Sequence, residues 1–331
     1  MNPDPSPVVA RYIGYTKDTE NHGDEALIGI VRDLLAPEIE VRTDCEDYEL
    51  ALLGGGTLIN QSPWLLDVFG QALEKAQHGV VFGSGVGDPA FWGDRFEDWA
   101  ELLNRCDFVG VRGPDSEALL KSNGVEHAQC VGDPYLWIST PVERQPIPKR
   151  LCVNAGSTND SLWGTNDEDL IRFLSEVLIR LKHLGWSFAW VSVWSRDIPL
   201  LEKLRQSVDP GSIPVLDART RNREAFSAIA DSELFLGEKL HANAMAAVVG
   251  VPFIALEYQP KILDFTKSLN MEDWTISTAE RDPNLLIEKI QSLRSQREEI
   301  RGRMLKSKNV LRDRLIEFAG RVRNRFGRTG R

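Results

Sequence analysis

The stretch LFLGEKLHANAMAAVVGVPFIALEYQPK, Leu234–Lys261, decides the fold. Leu234–Leu236 is a short apolar run that ends at Gly237, the pattern of a strand buried on both faces. His241–Val249 reads as a helix, and Ala242, Ala244, Ala246 and Ala247 are small enough to let it lie close on a sheet. Gly250 and Pro252 punctuate its end, and Phe253–Leu256 is again apolar and strand-like. Strand, helix and strand in this order form a βαβ unit, whose crossover makes the two strands parallel.

The same alternation runs outward in both directions. In the first half, strands are expected at Val8–Tyr15, Ile39–Thr43, Leu50–Leu53, Gly79–Gly83, Phe108–Val111 and near Gln129–Val131. Helices are expected at Asp24–Leu35, Pro63–Gln77, Phe96–Asn104 and Pro114–Ser122, the last stopped by Asn123-Gly124. The second half adds strands at Leu151–Ala155, Ser187–Val193, Pro214–Leu216 and near Trp274–Ile276. Its helices fall at Asp167–Leu184, Pro199–Ser207, Arg223–Ala230 and Lys261–Ser268. Between the halves, STPVERQPIPKR (Ser139–Arg150) is rich in proline and charge and lacks periodicity.

The reading is therefore an N-terminal Rossmann-like domain over 1–140, a linker over 141–150 and a C-terminal Rossmann-like domain over 151–282. A helical extension with a basic tail fills 283–331. In that extension Met304, Leu311, Leu315, Phe318, Val322 and Phe326 keep one face apolar. The fold class is α/β: two doubly wound domains facing a cleft, GT-B-like, with a long C-terminal helix. Ligands of such sheets bind beyond the carboxyl ends of the strands.

Composition excludes several classes. Four cysteines (Cys45, Cys106, Cys130 and Cys152) lack metal-ligand or disulfide-framework spacing, so no metal is expected. No apolar run approaches the roughly 18 residues of a membrane span. The opening MNPDPSPVVARY lacks the pattern of a signal peptide, so a cytoplasmic location is expected. From Glu298 onward, eleven Lys and Arg face four Asp and Glu. The rest of the chain has twenty-eight against forty-five. An acidic body disfavours nucleic acid, while the basic tail suits either a solvated helix face or peripheral contact with an anionic membrane.

The strand-end loops hold the candidate chemistry. GYTKDTENHGDEALIG (Gly14–Gly29) puts Asn21, His22 and Gly23 at a tight turn. Asp24 and Glu25 follow at a helix start. LLGGGTLIN (Leu52–Asn60) carries Gly54, Gly55, Gly56 and Thr57, whose backbone N–H groups ahead of a helix suit phosphate or sugar oxygens. VGVRGPDSEALL (Val109–Leu120) delivers Arg112 to a strand end beside a helix N-terminus, an arrangement suited to an anion. VGDPYLW (Val131–Trp137) puts Asp133 at another strand end. In the opening stretch, Gly237, Lys239, His241 and Lys261 converge at neighbouring strand ends as two cations and a proton-transfer candidate. Each residue has an ordinary structural reading as a cap, salt bridge or loop residue; the set together reads as a site.

These stretches resemble the polysaccharide pyruvyl transferase family. NHGDEALI, LLGGGTLI, GSGVG, VRGPDSEALLKSNGV, VGDPYL and GEKLHANAMAAVVGVPFIALEYQPK occur in the family's order over most of Tyr12–Leu269. The resemblance implies a GT-B-like fold and ketal formation, with phosphoenolpyruvate donating a pyruvyl group to a sugar of a cell-surface or extracellular polysaccharide, or to its lipid-linked precursor. Phosphoenolpyruvate is a donor substrate, and no cofactor is implied. Arg112, Lys239, Lys261 and Gly237 are expected to bind the donor. His241 is expected to act as acid, with His22 or Asp24 deprotonating an acceptor hydroxyl. Asn21, Gly23, Gly54, Gly55, Gly56, Thr57 and Asp133 are expected to bind acceptor or phosphate. Two departures stand out: the family's Arg-Leu-His is Lys239-Leu240-His241 here, and Gly113 follows Arg112 where an Asp is common. Lysine keeps the charge and loses bidentate geometry. The alternatives are a GT-B glycosyltransferase using a nucleotide sugar and a non-catalytic family member in polysaccharide assembly.

Overall fold

The computed structural model describes residues 6–15, 19–60, 62–88, 96–139, 145–157 and 166–327. The first half runs β1 (Val8–Ile13), α1 (His22–Leu35), β2 (Ile39–Arg42), β3 (Leu50–Leu53), β4 (Gly56–Ile59), α2 (Pro63–Ala76), β5 (Gly79–Val86), α3 (Phe96–Asn104), β6 (Phe108–Val111), α4 (Pro114–Ser122) and β7 (Ala128–Cys130). The second half starts with β8 (Ile147–Asn154), α5 (Asp167–His183), β9 (Ser187–Ser192), α6 (Ile198–Val208), β10 (Leu216–Asp217) and α7 (Asn222–Ala230). It ends with β11 (Ser232–Gly237), α8 (Leu240–Val249), β12 (Phe253–Glu257), α9 (Pro260–Ser268), β13 (Thr275–Ser277), α10 (Pro283–Ser295) and α11 (Arg297–Phe326).

The chain divides into two compact units. The first is Met1–Thr19, Asp24–Trp137 and Asn309–Arg331; the second is Glu20–Gly23 and Ile138–Lys308. The first unit's sheet has the order β2-β1-β3-β5-β6-β7, with β4 pairing β5, and its strand pairs are parallel. The second unit's sheet is also parallel, in the order β10-β9-β8-β11-β12-β13. The strand order reverses between β1 and β3 in the first sheet and between β8 and β11 in the second. Adjacent crossovers leave on opposite faces at such a point, which opens a crevice at the carboxyl ends of the strands.

Local sequence explains the elements that frame this crevice. In α8 all ten residues are buried, because the four alanines let it sit directly on the sheet. It stops at Gly250, whose left-handed backbone (φ +76°) is inexpensive only for glycine. Helix α5 is capped by Asn166, which accepts the Asp169 N–H, and carries Asp167 and Glu168 in its first turn against the helix dipole.

The structure departs from the sequence reading at four points. The glycine turn leads into the short strand β4 rather than into a helix, and α2 starts only at Pro63. The expected single helical extension is two helices, α10 and α11, broken at Gln296. Strand β8 starts at Ile147, inside the stretch read as linker, and residues 140–144 of that stretch lie outside the described residues. Asn21, His22 and Gly23 group with the second unit, although they were read as part of the first domain.

The later part of α11 belongs to the first unit, where Leu311, Leu315, Phe318, Ala319 and Val322 are buried. The Phe318 ring packs edge-on against Phe82 at 5.2 Å and Phe108 at 6.0 Å. The basic residues there engage the same unit: Arg325 lies 3.8 Å from Asp107, Arg323 lies 3.9 Å from Glu38, and Arg321 donates to the Gln129 amide oxygen. Arg328 and Arg331 of the tail lie outside the described residues.

Candidate active site

In the second unit the candidate residues gather at the strand-order reversal between β8 and β11. Asn154, the last residue of β8, holds the turn that follows β11. Its side-chain oxygen accepts the Lys239 N–H at 3.0 Å, its amide donates to the Val191 carbonyl at 3.0 Å, and its own carbonyl accepts the Glu238 N–H. Gly237 ends β11, and its carbonyl accepts from the Asn243 side chain in the first turn of α8. These bonds fix the backbone from which Lys239 and His241 project.

The Lys239 side chain is almost fully buried. Its Nζ donates to the Ser157 carbonyl at 3.1 Å and lies 3.7 Å from Asp197 Oδ1. It also faces the Tyr258 ring at 4.6 Å and the Trp194 ring at 5.5 Å. Burial alone disfavours this ammonium. Tyr258, Glu238 and Asp197 outweigh burial and hold it protonated, well above the ordinary lysine range. Lys261 sits over the same Tyr258 ring at 5.0 Å, so both predicted cations lie against one aromatic ring.

The segment Asn21–Gly23 joins this cluster. Asn21 bridges Trp194 in the loop after β9, and the His22 N–H donates to the Val193 carbonyl at 2.7 Å. His22 is the first residue of α1 rather than a free turn residue, and its Nε2 lies 3.2 Å from the Asn222 amide. The Asn21 side chain accepts the Gly23 N–H and so caps the helix. Gly23 is packed against the imidazole of His241, where any Cβ would overlap the ring. The two predicted histidines are thus brought into one neighbourhood by residues that lie far apart in sequence.

The first unit gathers the other candidates. Arg112 follows β6 and is 1% exposed. Its Nη2 donates to the Thr57 hydroxyl at 3.3 Å, and the guanidinium fills the space that a Cβ at Gly85 would occupy. Asp133 is fully buried, and its carboxylate accepts the Tyr135 N–H. Burial raises its pKa while Arg112 pulls it down. Gly54, Gly55 and Gly56 are buried. The Gly54 N–H is already donated to the Ile13 carbonyl at 2.9 Å, so the glycine turn offers fewer N–H donors than expected. Asp24 and Glu25 occupy the first turn of α1, as read from sequence.

Sequence reasoning missed Asn154, Gly156, Trp194, Asp197, Glu238 and Tyr258. Glu238 and Tyr258 lay inside the opening stretch, and Asn154-Ala155-Gly156 ends a strand, so position alone could have flagged them. Asp197 offered no signal, because it comes from a short turn after β9. Among the described residues, no group of three or more His, Cys, Asp or Glu side chains is arranged to hold a metal ion.

A family model described as polysaccharide pyruvyl transferase matches residues 21–260. Among curated proteins, none matches. Solved structures share the fold at low identity. MnaA from S. aureus, solved with UDP, is 10% identical with a TM-score of 0.62, covering 96% of this chain and 95% of its own. A putative UDP-N-acetylglucosamine 2-epimerase from Listeria monocytogenes is 12% identical with a TM-score of 0.59, covering 98% and 97%. CalG4, the calicheamicin glycosyltransferase, is 13% identical with a TM-score of 0.52, covering 99% and 100%. With two parallel Rossmann-like sheets, a long C-terminal helix and a family match over most of its length, the chain has a GT-B-like fold and belongs to the polysaccharide pyruvyl transferase family.

Proposed function

We propose that the protein transfers a pyruvyl group from phosphoenolpyruvate to a sugar of a cell-surface or extracellular polysaccharide, or of its lipid-linked precursor, forming a cyclic ketal. The observation that carries this reading is the buried Lys239 beside His241 at the β8–β11 reversal, with Lys261 in the first turn of α9. Phosphoenolpyruvate carries a carboxylate and a phosphate and requires cations; Lys239, Lys261 and Arg112 are the residues proposed to bind it, with the Gly237 turn shaping the approach. Protonation of the donor's methylene carbon leaves an oxocarbenium-like centre at the adjacent carbon. One sugar hydroxyl attacks there, a second displaces phosphate and closes the ketal, and one of the two hydroxyl protons balances the one consumed. His241 is the proposed acid, and His22 or Asp24 the proposed base. Asn21, Gly23, Gly54–Gly56, Thr57 and Asp133 are proposed to position the acceptor or the phosphate.

A second reading is a glycosyltransferase that uses a nucleotide sugar. It is favoured by fold likeness to CalG4. Incubation with phosphoenolpyruvate and a panel of sugars, read by phosphate release and product mass, separates the two. The expected result is a pyruvylated product with stoichiometric phosphate. Transfer from a nucleotide sugar, with no pyruvyl addition across the panel, reverses the ranking. His241→Ala is expected to lower kcat by about 100-fold or more; near-normal turnover removes His241 from the acid role. No helix among the described residues is long and apolar enough to cross a membrane. A cytoplasmic protein that meets a lipid-linked acceptor through its basic C-terminus is the setting this reading implies.

A further inference from the structure

The Lys239 ammonium lies 3.7 Å from one buried carboxylate, Asp197, and acts electrostatically on a second, Glu238. Glu238 precedes it in the chain and is fully buried. Glu238 Oε2 accepts the Gly156 N–H at 2.7 Å, and Oε1 has no hydrogen-bond partner among the described residues. Asp197 is also fully buried. Its Oδ1 accepts the Ser157 N–H at 2.9 Å and faces Lys239 Nζ, while Oδ2 has no hydrogen-bond partner among the described residues. Gly156 makes the arrangement possible, because a Cβ there would overlap both the Lys239 stem and the Asp197 carboxyl.

Lys239 and Asp167 are the charged groups that act on this pair, and Tyr258 and Lys261 lie around Lys239. Lys239 approaches from the start of α8, and Asp167 from the start of α5, where it accepts the Ser157 hydroxyl at 2.7 Å. Lys239 Nζ lies 4.6 Å from the Tyr258 ring centroid, and Lys261 Nζ lies 5.0 Å from the same centroid. With both buried carboxyls ionised, the ammonium is outnumbered and the pocket carries net negative charge. An anion of several charges cannot rest beside Lys239 in that state at low cost. A single proton on the pair reverses the balance.

We propose that Glu238 and Asp197 form a proton-accepting pair that couples anion binding beside Lys239 to the uptake of one proton, with Glu238 as the positioning residue that presents Lys239 with its charge unspent. The choice of phosphoenolpyruvate as the anion rests on the donor reading above. The coupling itself rests on the charge of the pocket. Burial outweighs the attraction of Lys239 at both groups. It raises Glu238 to about 7 and Asp197 to about 6, so a proton is available near neutrality.

Isothermal titration of the full chain with phosphoenolpyruvate at pH 7.5, in buffers of different ionisation enthalpy, counts the protons taken up. Inorganic phosphate serves as a second anion, and E238Q and D197N as variants; glutamine still accepts the Gly156 N–H, which guards the fold. Wild type is expected to take up about 0.7 of a proton. E238Q is expected to lose most of that uptake and, at pH 8.5, to bind about thirtyfold more tightly than wild type. The ligand's own ionisation is common to all three proteins and cancels in the comparison. In kinetics the change is expected in the pH dependence of KM, with kcat less affected. Equal proton uptake in wild type and both variants overturns the proposal and leaves the donor reading intact. Uptake with inorganic phosphate but no binding of phosphoenolpyruvate sustains the coupling and overturns the donor reading. Binding of neither anion overturns both.

Discussion

Gly23 and Gly29 lie on the same helix, α1, and predict opposite results when replaced by alanine. At Gly23 a Cβ would overlap the imidazole of His241, which is itself almost buried and has little room to retreat. Gly23→Ala is expected to displace His241 and lower kcat at least tenfold, with a smaller effect on stability than on turnover. At Gly29 a Cβ meets nothing within 4 Å. Gly29→Ala gains helix propensity and is expected to raise stability by about 0.5–1 kcal/mol while leaving kcat unchanged. Paired thermal melts and steady-state rates decide both; a Gly23→Ala protein with wild-type kcat would remove the close contact from any functional role. The sequence made Lys239, His241 and Lys261 legible because each sits at a strand end inside one βαβ run. It could not pair them with Asp197 or His22, since only the closing of the sheet brings residues so distant in sequence together. The lysine in place of the family's arginine also gains a physical account at this scale. Its ammonium reaches a carbonyl, a carboxylate and two aromatic faces in a pocket bounded by Gly156.

At the scale of elements, alternation of strands and helices was readable almost throughout, because parallel buried strands are continuous apolar runs and their helices are amphipathic. The two misread elements have definite causes. Strand β4 is four residues long and begins at Gly56, so it has too little periodicity to be distinguished from a turn. The break between α10 and α11 falls at Gln296 in a polar run, where either continued or interrupted helix satisfies the pattern. The apolar face read over the later part of α11 is buried at Leu311, Leu315, Phe318 and Val322. Phe318 is the test of that packing, since it is fully buried and meets Phe82 and Phe108 edge-on. Phe318→Ala is expected to cost about 3–5 kcal/mol. Ile316, on the same helix and 42% exposed, is expected to cost under about 0.5 kcal/mol on the same change. Chemical denaturation of the two variants measures the difference, and equal midpoints would show that the helix does not complete the first unit's core.

At the scale of the whole molecule, stability should carry the signature of the buried acids. A carboxyl whose pKa is higher in the folded than in the unfolded chain binds more protons when folded. Its contribution is therefore full below the unfolded value and is lost as pH rises through the folded one. Glu238, raised from the ordinary 4.5 to about 7 by burial, sets the window: stability is expected to fall between about pH 4.5 and 7 and to level off above it. Asp197, raised to about 6, adds a loss that ends earlier, and Asp133 adds one of the same sign. The acidic net charge of −10 pushes in the same direction through self-repulsion, so the raw curve cannot assign the effect. The difference between wild type and E238Q can, because glutamine keeps the size and the Gly156 hydrogen bond but does not titrate. For the unfolding transition of the second unit, E238Q is expected to gain on wild type as pH rises from 5 to 8. The relative gain is about 2–3 kcal/mol, the free-energy equivalent of the raised pKa. Parallel pH profiles for the two proteins would mean that Glu238 is ionised in the folded state across the whole range, with Lys239 supplying its neutralising charge.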